Sequence, residues 1–305
     1  MDVSVIIVNY KVPGLVCDAV ESVLNNTDSL SYEILIADNS PEEGLGKLLS
    51  NRFGSQVKYC PMAENIGFGR ANNEALKEAS GRNIMFLNPD ALVMENAIKI
   101  LSDYIYSQPK TGIAGGNLYD NKMNPVYSYR CFLPSVFWEL NDLFSLFPEK
   151  TLKGRNATFN HTDKVMEVAY LTGAAMMIPR NVINETNGFD PSFFLYFEDT
   201  DLAFTLRNRG YKICNIPQAK IMHAGGRSFS DNNTRTERYL CGKLLYYRKN
   251  LNLINRFIAL SIFKFTILSR IIAFKLILNK SKSNEWETTR KIFYGILKSD
   301  NLPIK

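Results

Sequence analysis

Three carboxylates stand within four residues of one another, Glu198, Asp199 and Asp201, directly after the aromatics Phe193, Phe194, Tyr196 and Phe197. An acid crowded against apolar rings is poorly hydrated, so its pKa rises and it calls for a partner or a use. One such acid can take a proton from a substrate hydroxyl. The plainer account is that Asp199 or Thr200 caps a helix carrying Leu202 and Leu206, with Asp201 favoured near its dipole. That account covers one acid easily and three beside four rings poorly.

Other polar residues follow apolar runs. Asp38 ends the run EILIAD, where it can accept hydrogen bonds from a base or ribose, or only shape an Asx-turn. Asn65-Ile66-Gly67-Phe68-Gly69 resembles a glycine-bearing phosphate loop opening a helix, with Asn72 and Asn73 on the turn that follows. Asp90, after NIMFLNP, is a hard oxygen ligand of the kind a divalent ion bridging a diphosphate requires; its plainer role is a helix cap or turn. His223 enters a Gly-Gly turn and suits a metal or phosphate; His161 lies in a polar stretch and reads as structural.

These groups need a frame. Val3–Asn9, residues 33–37, 57–60 and 83–87 are apolar and β-branched as buried parallel strands are, and residues 112–115 read as another short strand. Helical spacing intervenes after Pro13-Gly14, after Gly69 and from about residue 95 to 106. Strand–helix alternation predicts an α/β fold with a mostly parallel sheet, whose ligands sit beyond the carboxyl ends of the strands. Asn9, Asp38, Asn39, Asn88 and Asp90 would gather there. Residues 127–164 mix aromatics with proline and read as an inserted loop region covering the site. Residues 213–216 read as a short strand separate from the run that starts at Ile221.

The 305 residues suffice for a sizeable core, and 46% hydrophobic with 22% charged content excludes a disordered chain. Five scattered cysteines form no CxxC pair, so neither a zinc site nor a disulfide framework is implied. The N-terminal run lacks the features of a signal peptide, and a cytoplasmic protein is expected. Charge is uneven. Residues 241–305 hold 13 Lys/Arg against 3 Asp/Glu, and residues 1–240 hold 23 against 27. A mildly acidic domain over residues 1–238 thus carries a basic extension over 239–305. The extension is apolar with a cation every few residues, and its longest uncharged run, residues 257–263, is far shorter than the roughly 20 residues that span a bilayer. A basic amphipathic element in the membrane interface fits this pattern; the alternative is a helical cap packed on the domain or on a homodimer partner. Its apolar residues outnumber what a nucleic-acid stacking surface would use, so no nucleic-acid partner is expected.

Seven segments in order, SVIIVNYK, ADNSP, ENIGFGRANNEA, FLNPDA, LTGAAMMIPR, GFDPSFFLYFEDTDLAFTLRNRGY and HAGGRS, run from Ser4 to Ser228. Together they resemble the inverting glycosyltransferases of family 2, with the GT-A fold, in the rhamnosyltransferase-like branch. The resemblance implies that Asn9, Asp38 and Asn39 surround the base and ribose of a nucleotide-diphosphate sugar, and that Asn65, Gly67, Phe68 and Asn73 hold that donor. Asp90 matches the last acid of the family's Asp-x-Asp motif and Asn88 replaces the first, so a Mg²⁺ or Mn²⁺ ion would rest on Asp90 assisted by His223, with Gly226 and Ser228 completing the His-x-x-Gly-x-Ser pattern. Asp199 matches the catalytic base, with Glu198 beside it. Thr172, Gly173, Asp201 and the aromatic block would shape the acceptor side. The acceptor implied is a saccharide, on a polyprenyl diphosphate if the tail seats the protein on the cytoplasmic leaflet. A nucleotidyltransferase or nucleotide-binding regulator is the competing class; it would need neither the acids at 198–201 nor the tail.

Overall fold

The computed structural model describes residues 1–144, 156–223 and 232–298. Its centre is a nine-stranded sheet. Strand β1 (Val3–Asn9) is buried at all seven positions and pairs in parallel with β2 (Tyr32–Asp38) and β4 (Asn83–Leu87). β3 (Val57–Pro61) extends the sheet beyond β2. The helices between these strands are α1 (Pro13–Asn25), α2 (Leu45–Phe53) and α3 (Phe68–Glu78). The chain winds outward from β1 to β3 and then returns to β4 on the other side of β1. This reversal opens a crevice at the carboxyl ends of β1 and β4.

Beyond β4 the sheet is mixed. β5 (Ala91–Val93), α4 (Ala97–Ser107) and β6 (Thr111–Tyr119) follow in the chain. The short strand β7 (Tyr129–Arg130), helix α5 (Val136–Phe144) and strands β8 (Met166–Glu167), β9 (Tyr170–Leu171) and β10 (Ala175–Pro179) come next. β10 runs antiparallel between β4 and β6. Helices α6 (Arg180–Thr186) and α7 (Glu198–Asn208) lead to β11 (Lys212–His223), which pairs in parallel with β6 and antiparallel with β5 and β8. The short strand expected at residues 213–216 runs on through Ile221 to His223, with an irregularity between Ile216 and Lys220. The short strand expected near residue 112 runs on to Tyr119, because Asn117 and Leu118 are as buried as the residues before them.

Alternation along the strands divides the core. Val5 and Ile7 face a layer with Val16, Val20 and Leu101, while Ile6 and Val8 face Ala71, Phe189 and Leu206. Helix α8 (Asn232–Asn250) then joins the domain to α9 (Leu253–Leu276) and α10 (Lys280–Lys298). The boundary expected at residue 238 falls inside α8. Leu245, Tyr246 and Tyr247 of α8 pack with Phe193 and Phe197, while its Leu240 and Leu244 pack with Phe263, Ile267 and Phe293. Gly242 permits the first contact, since a Cβ there would lie 2.5 Å from the Tyr196 carbonyl oxygen.

Helix α9 corrects the expectation drawn from uncharged runs. Arg256, Lys264, Arg270 and Lys275 interrupt the apolar run but not the helix, which by length and composition is sufficient to cross a bilayer, with a mean hydropathy of 1.9. It also packs against protein: Ala259, Phe263, Ile267 and Ile271 are buried. Ile254, Phe257, Phe265, Leu268, Ile272 and Leu276 form an exposed stripe along another face.

Candidate active site

Two cavities meet at Tyr196, which lines both. The larger, about 350 Å³, lies at the carboxyl ends of β1 and β4. Its wall includes Asn39, Asn65, Gly67, Phe68, Asn88, Asp90 and His223, seven of the residues singled out from the sequence. Asn39 ties two of the lining loops together: its Nδ2 donates to the Gly67 carbonyl at 3.2 Å, and its Oδ1 accepts from Ile66 N. Gly67 has φ of +91°, and a Cβ there would lie 2.4 Å from the Phe194 carbonyl oxygen. Only glycine fits this approach.

Three other donor-side candidates hold the wall from behind. Asn9 Nδ2 donates to Asp38 Oδ1 at 2.7 Å and to Ser40 Oγ. The other oxygen of the fully buried Asp38 accepts from Tyr59 Oη at 2.8 Å. Asn73 exchanges two hydrogen bonds with the backbone of Phe189. All three fix the loops that reach the cavity; none lines it. The phosphate-loop expectation for residues 65–69 also changes. Gly67 N donates to Asn65 Oδ1 and Phe68 N to the Phe194 carbonyl, so both groups are committed to protein acceptors. The loop's glycine serves close packing against residues 193–197.

Asp90 and His223 stand together, with Asp90 Oδ1 3.3 Å from His223 Nε2. Among the described residues no third acid, histidine or cysteine joins them to complete a cluster. One carboxylate and one imidazole on a cavity wall suit a divalent ion that draws its other ligands from phosphate and water. Gly226 and Ser228 lie outside the described residues.

The second cavity, about 280 Å³, is lined by Tyr127, Arg130, Trp138, Tyr170, Thr172 and Asp199, with Tyr196, Phe197 and Tyr239. Residues 127–144 of the inserted stretch therefore supply an ordered wall, held by pairing of β7 with β9. Phe193, expected on this wall, is instead core beneath α8. Thr172 Oγ1 is buried without a hydrogen-bond partner among the described residues.

Asp199 is gripped from two sides. Its Oδ2 accepts from Gly173 N at 2.8 Å, and its Oδ1 accepts from Thr200 N at 2.6 Å and Thr200 Oγ1 at 3.0 Å. Burial pushes its pKa up, and these hydrogen bonds oppose the rise because they favour the anion. Glu198 is 5% exposed, and its Oε2 has no partner among the described residues. Burial, then the charge of Asp199, pushes its pKa up to about 8. Of the pair, Glu198 therefore holds the proton near neutrality and Asp199 the charge. Backbone strain precedes them: Tyr196 and Phe197 have φ of +68° and +71°. Two successive bulky residues in this region cost about 1–3 kcal/mol each and persist only where packing enforces them, most often at functional sites.

Asp201 departs from expectation. It accepts from Lys249 Nζ at 2.6 Å and from Asn250 Nδ2 at 2.7 Å, so it fastens α7 to the end of α8 and does not line the second cavity. The sequence reading also missed residues. Arg235 and Arg238 line the first cavity, and Tyr127, Arg130, Trp138, Tyr170 and Tyr239 the second. Nothing local marked the arginines. The aromatics were visible as a cluster, but their partners lie about 30 to 100 residues away.

Comparison with known proteins gives this geometry its context. A family model described as "Glycosyltransferase like family 2" matches residues 1–242. The N-acetylglucosaminyl-diphospho-decaprenol L-rhamnosyltransferase of Mycobacterium tuberculosis (strain H37Rv) is 24% identical over 241 residues, covering 72% of this chain and 75% of that protein. Rhamnosyltransferase WbbL of Escherichia coli K12 is 24% identical over 245 residues, covering 75% and 90%. Among solved structures, the mannosyltransferase PcManGT of Pyrobaculum calidifontis, in complex with GDP-Man and Mn²⁺, matches with a TM-score of 0.58 at 13% identity over 97% of this chain and 86% of its own. GalNAc-T7 with UDP, GalNAc and Mn²⁺ matches with a TM-score of 0.59 at 15% identity over 82% of this chain; the match spans about half, 48%, of that enzyme. These likenesses fix the fold as GT-A. With its site built on that sheet and residues 1–242 matched, the chain belongs to glycosyltransferase family 2.

Proposed function

We propose that the protein is an inverting transferase that moves a hexose from a nucleotide-diphosphate donor to a hydroxyl of a saccharide acceptor. The observation that carries this reading is Asp199, a gripped carboxylate in one cavity, separated by the Tyr196 side chain from a second cavity walled by Asn39, Asn65, Asp90 and His223. The donor lies in the larger cavity with its diphosphate towards Asp90 and His223. The acceptor hydroxyl lies against Asp199, with Thr172 Oγ1 in reach as a hydrogen-bond partner.

Asp199 takes the hydroxyl proton as the acceptor oxygen attacks the anomeric carbon. The carbon–oxygen bond to the diphosphate breaks on the opposite face, so configuration inverts and no enzyme-bound sugar forms. Glu198, protonated behind Asp199, keeps a second negative charge out of the site. Asp90 and His223 would hold a Mg²⁺ or Mn²⁺ ion, which would supply charge stabilisation to the departing diphosphate.

For the donor we infer dTDP-rhamnose, on the strength of the rhamnosyltransferase relatives. A UDP- or GDP-sugar is the alternative, since the structural neighbours were solved with such nucleotides. The acceptor is inferred to be a saccharide on a polyprenyl diphosphate, used in cell-surface polysaccharide synthesis. The apolar stripe of α9 and the basic residues of 239–305 fit peripheral contact with an anionic cytoplasmic leaflet; a dimer interface is the other use of that stripe. Release of nucleotide diphosphate from dTDP-, UDP- and GDP-sugars, measured with Mn²⁺ or Mg²⁺ and a lipid-diphosphate saccharide, tests the reading. Release that does not depend on the acceptor, or none with any donor, overturns it. Flotation with anionic liposomes tests the membrane contact, and no binding would sink that part alone.

A further inference from the structure

Arg235 and Arg238 reach the donor cavity from α8, more than 140 residues after Asp90 in sequence. Among the described lining residues they are the two permanent cations, against one carboxylate, Asp90. Neither arginine has a carboxylate within ion-pair distance among the described residues; the ion pairs of α8 belong to Lys243 and Lys249. Arg238 instead lies over the Phe194 ring, its guanidinium carbon 4.2 Å from the ring centre, and Arg235 shares the cavity wall with Tyr196, close enough for its charge to act on the phenol. Both rings belong to the strained loop that Gly67 and Gly242 clamp.

A guanidinium stacked on a ring has its plane fixed while the edges of its fork stay available to an anion. The cavity has need of that charge. A nucleoside diphosphate leaves with about three negative charges, and among the described residues of the cavity wall a divalent ion would find Asp90 and His223 to rest on. Resting on the donor-site reading above, we propose that Arg235 and Arg238 bind the diphosphate of the donor and of the departing nucleotide directly, and so share the task of charge stabilisation with any bound metal. The loop 193–197 thereby links the two halves of the reaction: Phe194 and Tyr196 seat the arginines, and Glu198 and Asp199 follow immediately.

Isothermal titration of the full chain with dTDP, UDP and GDP, each in EDTA and again with Mn²⁺, reads this without turnover. The wild type should bind its nucleoside diphosphate in EDTA. Arg238→Gln should weaken that binding about tenfold and Arg235→Gln several-fold, as expected for loss of a charge-assisted phosphate contact. Binding of the matching nucleoside, which has no phosphate, should not change. Arg238→Lys keeps the charge and should retain more affinity than Arg238→Gln. Should Arg238→Gln fail to fold, Arg235→Gln and Arg238→Lys carry the test, and a thermal melt of each separates the cases. Equal affinity of wild type and the double glutamine variant in EDTA overturns the proposal, as does a parallel loss of nucleoside binding. If the wild type binds none of the three diphosphates under either condition, the donor-site reading itself fails, which is a different result.

Discussion

Among the regions of this molecule that bury carboxylates, two do so in contrasting ways. Where the C-terminal helices meet the domain, each buried acid has a cation. Glu139 of α5 is fully buried against Lys243 Nζ at 2.6 Å and also accepts from Tyr247 Oη; Asp201 pairs with Lys249 at 2.6 Å. At the start of α7, Glu198 is buried and Asp199 partly so, with no cation within ion-pair distance among the described residues. Pairing leaves an acid structural, because its charge is answered within the protein. An unanswered acid is costly in the folded protein and is retained where its proton is used. The contrast supports the proposed division between fastening in one region and chemistry in the other, two residues apart in the case of Asp199 and Asp201.

The largest effect should come from breaking the unpaired side. Asp199→Asn keeps the shape and removes the base. Acceptor-dependent turnover should fall about 10²- to 10⁴-fold. Thermal stability should change little or fall slightly: a partly buried charge is gone, but the amide can accept from only one of Gly173 N and Thr200 N. Near-normal turnover would remove Asp199 as the base. On the paired side the pattern should invert. Lys243→Met leaves Glu139 buried and unanswered and should cost about 3–5 kcal/mol in chemical denaturation. Adding Glu139→Leu should restore part of that loss. If the double variant is no more stable than the single one, the pair is not what binds α5 to α8.

The sequence made the sheet legible because the strand signal is local. The run VSVIIVN is apolar at nearly every position, and all seven residues are buried. Asp90, His223 and Asp199 were legible as candidates for the same reason: each directly follows a strand or aromatic run. What could not be read were pairings across distance. Asp201 looks like Asp199 on the page, and only the approach of Lys249, 48 residues later, separates them. Asp38 reads as a candidate from its place after a strand, but its partners Asn9 and Tyr59, 29 and 21 residues away, could not be read. That residues 253–276 form a single helix was equally illegible, since the uncharged run 257–263 shows only part of it and the partner of Arg270, the carbonyl of Asp142 at the end of α5, lies 128 residues away.

Glu198 sharpens the comparison through pH. Its folded pKa, about 8, stands above the ordinary carboxyl value of 4.5. The folded protein therefore keeps a proton that the unfolded chain has lost between those values. Stability falls as pH rises through that window, because the folded state binds more protons there. Glu198→Gln abolishes the dependence. The variant should be more stable than wild type at pH 8, by about 1.4 kcal/mol for each pH unit that separates the folded and unfolded titrations, and equal to it near pH 4. Melting curves at both pH values check this; equal melting temperatures at pH 8 would mean that Glu198 is ionised in the fold.

The smallest effect should be that of Asp201→Asn. The substitution removes the charge facing Lys249 but keeps an amide able to accept a hydrogen bond. Lys249 retains Asp190 at 2.7 Å and is itself 36% exposed, so its charge remains hydrated and paired. The loss should be about 1–3 kcal/mol, because the buried amide can accept from only one of Lys249 Nζ and Asn250 Nδ2. Turnover should stay within about twofold of wild type, since Asp201 faces α8 and not the second cavity. A large fall in turnover at unchanged stability would return Asp201 to the reacting site and erase the line between fastened and working acids on α7. A stability loss of that size with turnover little changed keeps that line where the partners draw it: at Lys249 on one side, and at the backbone amides of Gly173 and Thr200 on the other.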